Sequence, residues 1–324
     1  MESIKRNVVF DAHADTLEVA WRKQIPLTDS SLDICMQDAV SQLPYIQCFA
    51  AYVDPKLDQV PDGGYQRACD IIAKYEQEYK NLKKDGIPIT TIVSPDQLEK
   101  VIANQEFGVI LTVENGTAIS GNLEHISHLY EKGIRVMSLT WNEDNELACG
   151  AMTEEDTGLT PLGKRCVQLM NQFGMIVDVS HLSYKSFFDV IACTKKPIIA
   201  THSGVERLAH HRRNLTDRQI TEIGKQKGMI GVPIVNAFLR EDGNATSEDM
   251  VNHIIHIANL IGIDHVGIGT DFDGLVEDSH YTKDIHSVRD IRILEEKMRT
   301  RGFQEVEIVK VMGQNYVHFF EENM

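Results

Sequence analysis

Long apolar runs and paired cysteine motifs are both missing from this 324-residue chain. No window approaches the roughly 18 consecutive apolar residues that a membrane-spanning helix requires. The first residues, from Met1 to Arg6, lack the apolar stretch and the small-residue cleavage site of a signal peptide. The six cysteines are scattered without a C-x-x-C pair, which favours reduced thiols over disulfides or a structural zinc on sulfur. We therefore expect a cytosolic (cytoplasmic) protein without a membrane partner.

Positive charge is also scarce, because 32 Lys and Arg stand against 48 Asp and Glu and give a formal net charge of −16. Such a field repels nucleic-acid backbones and anionic lipid surfaces, so we expect neither as a partner. Hydrophobic residues make up 42% of the chain, which is enough for a large buried core. Because no linker, low-complexity segment or short repeat interrupts the pattern, we expect one domain spanning residues 1–324.

Short β-branched runs alternate with longer amphipathic stretches along the chain. The runs are too apolar to alternate between two faces, as is typical of parallel strands buried on both sides. They predict eight strands, at residues 8–10, 46–53, 109–113, 134–139, 175–179, 198–201, 229–235 and 266–270. Helices are expected at 64–84, from the N-cap Thr160 to Gly174, after a capping box at Thr216, at 246–260 and at 288–301. This order favours a (β/α)8 TIM barrel over an open sheet.

Side chains that can bind metal ions recur where the expected strands end. In a (β/α)8 barrel these ends meet at one face, where enzymes of this fold build their active sites. Imidazole and carboxylate groups are zinc ligands, and a carboxylate can bridge two metal ions. The convergence therefore predicts a metal site. The segments end the first, third, fifth, sixth and eighth strands: Asp11-Ala12-His13-Ala14-Asp15, Glu114-Asn115-Gly116, Asp178-Val179-Ser180-His181, Thr201-His202-Ser203 and Thr270-Asp271-Phe272-Asp273-Gly274.

Each segment also has a structural interpretation of its own. A strand-end histidine such as His181 or His202 is more often a hydrogen-bonded core residue. Asp271 could cap the following turn, and Glu114 could form an ion pair at the barrel mouth. Only the five segments together favour a metal site. Three further pairs of histidines lie on expected outer helices or in a loop, and we expect none of them to bind metal: His125 and His128, His210 and His211, and His253 and His256.

These segments resemble the membrane (renal) dipeptidase family, the M19 metallopeptidases of the amidohydrolase superfamily. The likeness runs from Phe10 to Tyr316, and its distinctive parts are residues 178–181, 201–203, 212–214 and 267–274. Many amidohydrolases open with H-x-H and bridge their metals by a carbamylated lysine. The opening His13-Ala14-Asp15 and the carboxylate of Glu114 are instead similar to the dipeptidase arrangement.

The resemblance implies a site for two zinc ions. His13, Asp15 and Glu114 would bind the first ion. Glu114, His181 and His202 would bind the second, so that Glu114 bridges the two.

The resemblance also implies a reaction, the hydrolysis of L,L-dipeptides and of L,D-dipeptides by a hydroxide shared between the ions. Asp271 would act as the acid and base, and Arg213 would hold the terminal carboxylate of the dipeptide. By itself, an arginine in the loop after the sixth strand could equally be a solvated surface residue. A homodimer is implied by the same resemblance.

One position departs from the family pattern. After the fourth strand the family typically shows Leu-Thr-His, and that histidine helps to stabilise the tetrahedral intermediate, whereas this chain has Leu139-Thr140-Trp141-Asn142. Indole and amide N–H groups can both donate a hydrogen bond. We therefore hypothesise that Trp141 or Asn142 binds substrate as a replacement donor, or shapes a different pocket. The alternative is that Trp141 packs as an apolar plug.

Two other functions are compatible with these residues. One is another amidohydrolase reaction at the same metal site, such as N-acyl-amino-acid deacylation or lactone opening, since it would use the same ligands. The other is a non-catalytic binding barrel, and the presence of Asp271 beside a complete ligand set argues against it.

Overall fold

Eight parallel strands close into a ring at the centre of the molecule, which a computed structural model describes for residues 7–275 and 280–324. The strands are β1 (Val9–Ala14), β2 (Tyr45–Tyr52), β4 (Phe107–Glu114), β5 (Ile134–Ser138), β6 (Ile176–Asp178), β7 (Ile199–Ala200), β8 (Met229–Val232) and β9 (Val266–Ile268), with β3 (Ile89–Thr91) outside the ring. The ring follows the order β2-β1-β9-β8-β7-β6-β5-β4, and the pairing of β2 with β4 closes it. The expected (β/α)8 TIM barrel is therefore confirmed.

The strand β3 is an addition to the eight strands that the sequence predicts. It pairs with the first residues of β4, from Phe107 to Val109, and β5 pairs further along the same strand. A three-residue strand is too short to show a periodic pattern, so the sequence carries no signal for it. The expected strand at 229–235 ends at Val232, because Pro233 has no N–H group to donate to a neighbouring strand.

The helices largely follow the expected cap signals. Thr160 accepts a hydrogen bond from the Gly163 N–H, and Gly174 ends the helix in a left-handed conformation. The helix expected at 288–301 begins only at Ile293. The helices are α1 (Thr16–Lys23), α2 (Met36–Ala39), α3 (Gly63–Lys84), α4 (Pro95–Asn104), α5 (Glu124–Glu131), α6 (Pro161–Phe173), α7 (Tyr184–Cys193), α8 (Asp217–Lys225), α9 (Asn236–Leu239), α10 (Ser247–Ile261), α11 (Ile293–Thr300), α12 (Glu305–Val309) and α13 (Asn315–Asn323). Shorter 3-10 segments cover Val40–Gln42, Pro55–Gln59, Gly116–Ile119 and Ile263–His265, and a π-helical turn covers Lys310–Gln314.

Apolar side chains from the strands fill the ring, and helix α13 packs against its amino-terminal end. The rings of Tyr316 and Phe320 lie 5.0 and 5.1 Å from that of Phe10 on β1. A side chain at Gly267 would collide with Tyr316, since a Cβ there would lie 2.4 Å from the tyrosine ring. With one end of the ring covered in this way, the carboxyl ends of the strands at the opposite end are left to form a site.

Two expectations from composition can be compared with the structure. None of the six cysteines, all of which lie in the described ranges, forms a disulfide. Across residues 7–275 and 280–324, no helix has both the length and the apolarity needed to cross a membrane.

Candidate metal centre

The carboxyl ends of four strands bring the five expected metal-binding side chains into one buried cluster. On one side, His13 Nε2 lies 3.5 Å from Asp15 Oδ2 and 3.8 Å from Glu114 Oε2. On the other side, Glu114 Oε1 lies 2.7 Å from His181 Nε2 and 3.6 Å from His202 Nε2. All five side chains are buried. The structure therefore brings together residues from β1, β4, β6 and β7 that are distant in sequence.

Glu114 lies between two halves of this cluster, because its two carboxylate oxygens face different partners. In the half with His13 and Asp15, and again in the half with His181 and His202, the possible ligand atoms lie within 4.8 Å of one another. Glu114 therefore belongs to both ligand-competent groups. Asp271 forms a third such group with His13 and His202, so its carboxylate borders both halves.

The donor atoms of the cluster fit a metal ion. Buried polar atoms normally have hydrogen-bond partners. Within the described ranges, His13 Nε2 and Asp15 Oδ1 are buried without one. The Nε2 atoms of His181 and His202 face each other at 2.9 Å. A set of imidazole nitrogens and carboxylate oxygens is typical of zinc and related divalent ions.

Burial controls the protonation of the carboxyl groups. It raises the pKa of Glu114 well above its usual range, and repulsion from Asp15 adds to the effect although His13 opposes it. Burial likewise raises the pKa of Asp271 to about 6, against the attraction of His13. For His13, burial acts to lower the pKa, but the carboxylates of Glu114 and Asp15 outweigh it and raise the pKa to about 10. A metal cation would compete with these protons and favour the carboxylate forms.

The histidines of the other half behave differently. Burial lowers the pKa of His181 and of His202 well below the usual value, and the positive charges of Arg213 and His13 add to the effect. Both imidazoles are therefore neutral near pH 7, and the neutral form is the one that binds metal.

Unusual backbone conformations present two of these side chains. His181 and Asp271 both have φ of 67°, in the left-handed region that non-glycine residues rarely adopt. Such strain costs roughly 1–3 kcal/mol per residue and concentrates at functional sites. Gly274 follows on the same segment, and a Cβ at this position would lie 2.3 Å from Asp271 Oδ1 and 2.6 Å from Asp15 Oδ2. Any other residue at position 274 would therefore displace the carboxylates of Asp271 and Asp15.

Two buried aspartate–threonine pairs connect neighbouring strand ends by hydrogen bonds. Asp11 on β1 accepts hydrogen bonds from the backbone N–H and the hydroxyl of Thr270, at 2.8 and 2.6 Å. Asp178 on β6 accepts from the backbone N–H and the hydroxyl of Thr201. Each threonine directly precedes a residue of the cluster, Asp271 or His202. The sequence alone did not assign these four residues a role. Their positions beside the cluster residues were visible, as D-x-H from Asp11, D-x-x-H from Asp178, T-H from Thr201 and T-D from Thr270.

Arg213 lies beside the cluster as a buried cation without a carboxylate partner. It is 4% exposed, and within the described ranges no ion pair involves it and its Nε has no hydrogen-bond partner. Burial lowers the pKa of this guanidinium to about 10, even though Asp271 and Glu114 attract it. The Nη2 group of Arg213 donates a hydrogen bond to the His202 carbonyl oxygen at 3.4 Å. The guanidinium carbon Cζ lies 5.5 Å from the centre of the Phe238 ring. A buried arginine of this kind is stabilised when an anion occupies the space in front of it.

Trp141 and Asn142 lie at the rim of the same site. The indole of Trp141 makes an edge contact with Tyr52, with ring centres 5.5 Å apart, and it is only partly buried. Asn142 Oδ1 lies 3.0 Å from His181 Nδ1. Both residues line the cavity above the cluster, so Trp141 is a wall of the cavity rather than an internal plug.

That cavity has a volume of about 420 Å³, which is in the usual range for small-molecule sites. Tyr52, Asp54 and Arg67 line one side of it, and Arg213 and Phe238 line another. Tyr52 ends strand β2, and Arg213 lies in the segment that follows strand β7. These two strands are four positions apart in the eight-strand ring, so the two walls face each other across the barrel axis.

Histidines outside the cluster have other partners. The metal-competent groups of the described residues include none of His125, His128, His210, His211, His253 and His256. His125 Nδ1 lies 2.9 Å from the Ile119 carbonyl, and His253 is fully buried between two backbone groups. His211 lines the cavity and was not expected there.

Comparison with known proteins agrees with this geometry. The model of the membrane dipeptidase family, peptidase family M19, matches residues 2–323. The chain belongs to this family. The resemblance stated from the sequence segments is therefore confirmed, and a metallopeptidase family agrees with the clustered metal-binding side chains.

Relatives in the family share about a third of their aligned residues with this chain. A Schizosaccharomyces pombe protein named as an uncharacterized dipeptidase is 32% identical over 227 residues, which cover 68% of this chain and 54% of that protein. A dipeptidase of Claviceps purpurea is 31% identical over 206 residues, which cover 62% of this chain and 48% of that protein. The chain thus spans about half the length of these two curated relatives.

Two solved structures of metallo peptidases superpose over nearly the whole chain. The dipeptidase AC, a metallo peptidase of family M19, is 25% identical with a TM-score of 0.89, and 98% of each chain is covered. A metallo peptidase from Rhodobacter sphaeroides, liganded with a phosphinate mimic of the dipeptide L-Ala-D-Ala, is 24% identical with a TM-score of 0.87. That comparison covers 98% of this chain and 100% of the other, and it demonstrates the shared fold.

Proposed function

We propose that this protein is a dipeptidase that uses two zinc ions. His13, Asp15 and Glu114 hold one ion, and Glu114, His181 and His202 hold the other. The two-sided position of Glu114 supports this division. When bound, such ions activate a water molecule and polarise the carbonyl oxygen of the scissile peptide bond.

Asp271 moves the proton in this reaction. Its carboxylate takes a proton from the attacking water and then donates a proton to the nitrogen of the leaving amine. Its Oδ1 lies 3.8 Å from His13 Nε2, which places it over the ligand cluster rather than outside it. The left-handed backbone at Asp271 and the absence of a side chain at Gly274 support this close approach.

The observation that carries the choice of substrate is the buried, unpaired guanidinium of Arg213. A free carboxylate is the group that such a side chain binds most strongly, in a bidentate pair. The carboxylate of a dipeptide would be only one residue away from the scissile bond. Placing it at Arg213 therefore brings that bond to the metal cluster.

The N-terminal residue of the dipeptide then lies toward the opposite wall, near Tyr52 and Trp141. We propose that Trp141 contacts this residue as part of the wall. Acceptance of a D-residue at the C-terminal position, next to Arg213, follows from the family resemblance and is part of the proposal.

The decisive experiment combines metal content with a panel of substrates. Purified protein is expected to contain two zinc ions per chain and to hydrolyse L,L- and L,D-dipeptides faster than N-acyl amino acids. His181→Ala should lose zinc and most activity, whereas His128→Ala, an exposed histidine outside the site, should lose neither. Faster hydrolysis of the N-acyl amino acids would favour a deacylase instead. A zinc-free, inactive wild-type protein would indicate a binding barrel.

The cytosolic location and the homodimer stay predictions. Fractionation of cells and light scattering of the purified protein would test them.

A further inference from the structure

Metal binding by a histidine depends on which ring nitrogen carries the proton. A neutral imidazole has one N–H donor and one lone pair, and the partner of one nitrogen decides the state of the other. In the cluster, the Nε2 atoms of His181 and His202 point at Glu114 and at each other. Both nitrogens must be free of a proton for metal to bind there.

The environment of His202 Nδ1 determines its proton. This nitrogen lies 2.9 Å from the hydroxyl oxygen of Thr201. The same hydroxyl donates a hydrogen bond to Asp178 Oδ2, and Asp178 Oδ1 accepts from the backbone N–H groups of Ser180 and Thr201. The single hydroxyl proton of Thr201 is therefore donated to Asp178, and the hydroxyl oxygen can only accept a hydrogen bond from His202 Nδ1. The proton of His202 is held on Nδ1, and Nε2 presents its lone pair to the cluster.

His181 has an equivalent partner from a different part of the chain. Its Nδ1 lies 3.0 Å from the amide oxygen Oδ1 of Asn142, which can only accept. The backbone of His181 is held by the same loop, because its carbonyl accepts from the Ala151 N–H at 2.7 Å and from the Thr140 hydroxyl at 3.2 Å.

We infer that Asp178, Thr201 and Asn142 are positioning residues that set the ring protons of the two histidines. This inference rests on the proposed metal site and gives Asn142 a role other than that of a substrate donor. Asp178 acts on His202 through the Thr201 hydroxyl, and Asn142 acts on His181 directly. If both histidines carry their protons on Nδ1, two lone pairs face each other across 2.9 Å, an arrangement that a cation between them relieves.

Substitution of Asp178 gives the sharpest test. In Asp178→Asn, the side-chain oxygen stays with the backbone N–H groups of Ser180 and Thr201, so the amide nitrogen faces the hydroxyl. The hydroxyl then accepts from the amide and donates to His202 Nδ1, which moves the ring proton to Nε2. We expect nitrogen-15 NMR of the metal-free variant to show this tautomer for His202, and zinc at the His181–His202 position to bind about 10–100-fold more weakly.

Matched pairs separate positioning from a general loss of structure. Thr201→Val and Asn142→Leu remove the acceptors and should weaken zinc binding about 10–100-fold, as measured by competition with a chelator. Thr201→Ser and Asn142→Asp keep an acceptor oxygen and should restore most of the affinity. Unfolding of the metal-free variants is measured alongside, because a purely structural effect would change stability in both members of a pair.

The inference is overturned if the wild-type histidines carry their protons on Nε2 in metal-free protein. It is also overturned if Thr201→Val and Thr201→Ser bind zinc equally well. Neither measurement requires dipeptide hydrolysis, so a failure of the proposed activity would be distinguishable from a failure of the positioning role.

Discussion

Arg213 illustrates how much one side chain can contribute when burial and charge act together. Its guanidinium is buried beside the cluster of metal-competent side chains and has no carboxylate partner in the described part of the chain. Burying an unpaired charge costs several kcal/mol, so a fold keeps one only where an anion binds or where other groups compensate. Here the cost is consistent with a binding role. The sequence placed Arg213 after the sixth expected strand and left two interpretations, carboxylate binding and a solvated surface residue, whereas burial is a property of the structure alone.

Replacing Arg213 should therefore weaken recognition of the substrate carboxylate. Loss of one partner of a buried charge pair costs about 2–5 kcal/mol, so kcat/KM for a dipeptide should fall at least about 30-fold in Arg213→Met. Steady-state kinetics with a dipeptide and with its C-terminal amide would check this. The amide lacks the carboxylate, so its slower hydrolysis should be nearly unaffected by the substitution. Equal losses for both substrates would contradict carboxylate binding by Arg213.

A second prediction for a single residue concerns Gly274. In Gly274→Ala the added methyl group would displace Asp271 and Asp15, with which it would collide at 2.3 and 2.6 Å. We expect kcat to fall by about 10-fold or more, since small misplacements of catalytic groups are costly. Circular dichroism and thermal unfolding should change little.

Gly262 offers the matched control for this substitution. It has φ of 94° at the end of α10, with open space around it. Gly262→Ala should lower stability by about 1 kcal/mol while leaving kcat unchanged, because the alanine is strained but far from the cluster. The reverse result, an active Gly274→Ala enzyme, would show that the two carboxylates tolerate displacement.

At the scale of elements, helix α10 is tied to the loop that carries Arg213 through one buried histidine. His253 Nδ1 accepts from the Val205 N–H at 2.9 Å, and its Nε2 donates to the Leu239 carbonyl at 3.1 Å. The bond from Val205 requires the neutral ring, because a protonated Nδ1 cannot accept, whereas the bond to Leu239 exists in both forms. Burial lowers the pKa of His253 to about 4, against the opposing effects of the Leu239 carbonyl and Asp249.

The stability of the fold should therefore depend on pH through His253. Between pH 6.5 and 4 the unfolded chain binds a proton that the folded chain does not. The contribution of His253 to the free energy of unfolding is therefore fully present above about pH 6.5 and is lost as the pH falls toward 4. The loss would reach about 3 kcal/mol. Denaturant unfolding at several pH values would measure it. His253→Gln keeps a donor and an acceptor but does not titrate, so its profile should lack this component; parallel profiles would refute the assignment.

The elements also show which features a sequence can reveal. The barrel and the ligand segments of β1, β4, β6, β7 and β9 were predictable, because parallel strands place their carboxyl ends at one face whatever the detailed register. The late start of α11 at Ile293 and the short strand β3 were not predictable, since neither has a cap or a period that marks it.

Cross-strand contacts account for the other features that the sequence did not reveal. Asp11 and Thr270, like Asp178 and Thr201, meet only because their strands pair in one particular register, with Asp11 opposite Ile268 and Asp178 opposite Ile199. In both pairs the threonine lies two residues beyond the aspartate's partner. The spacing within each segment was visible in the sequence, but the pairing between segments was not.

For the whole molecule, bound metal should contribute directly to stability. The cluster concentrates buried carboxylates in a chain whose net charge is −16. A ligand present at 100 times its dissociation constant stabilises the folded state by about 2.7 kcal/mol. Removal of metal by a chelator should therefore lower the melting temperature by several degrees, and added zinc should restore it.

Differential scanning calorimetry of the metal-free and zinc-loaded protein would check this. His181→Gln should show a smaller zinc-dependent shift than the wild type, while His128→Ala should keep the full shift. An identical melting temperature with and without zinc would argue that the cluster binds no metal in the folded protein.

Closure of the barrel has a consequence for how the protein matures in the cell. His13 and Asp15 leave the ribosome first, whereas Asp271 is synthesised only after most of the chain, and β1 gains its neighbour β9 only then. The nascent chain thus carries two of the five proposed metal ligands, His13 and Asp15, long before His181 and His202 are made. For the proposed metal site, acquisition of the ions is therefore expected to be a late, post-translational step, and partly made chains would compete poorly for them.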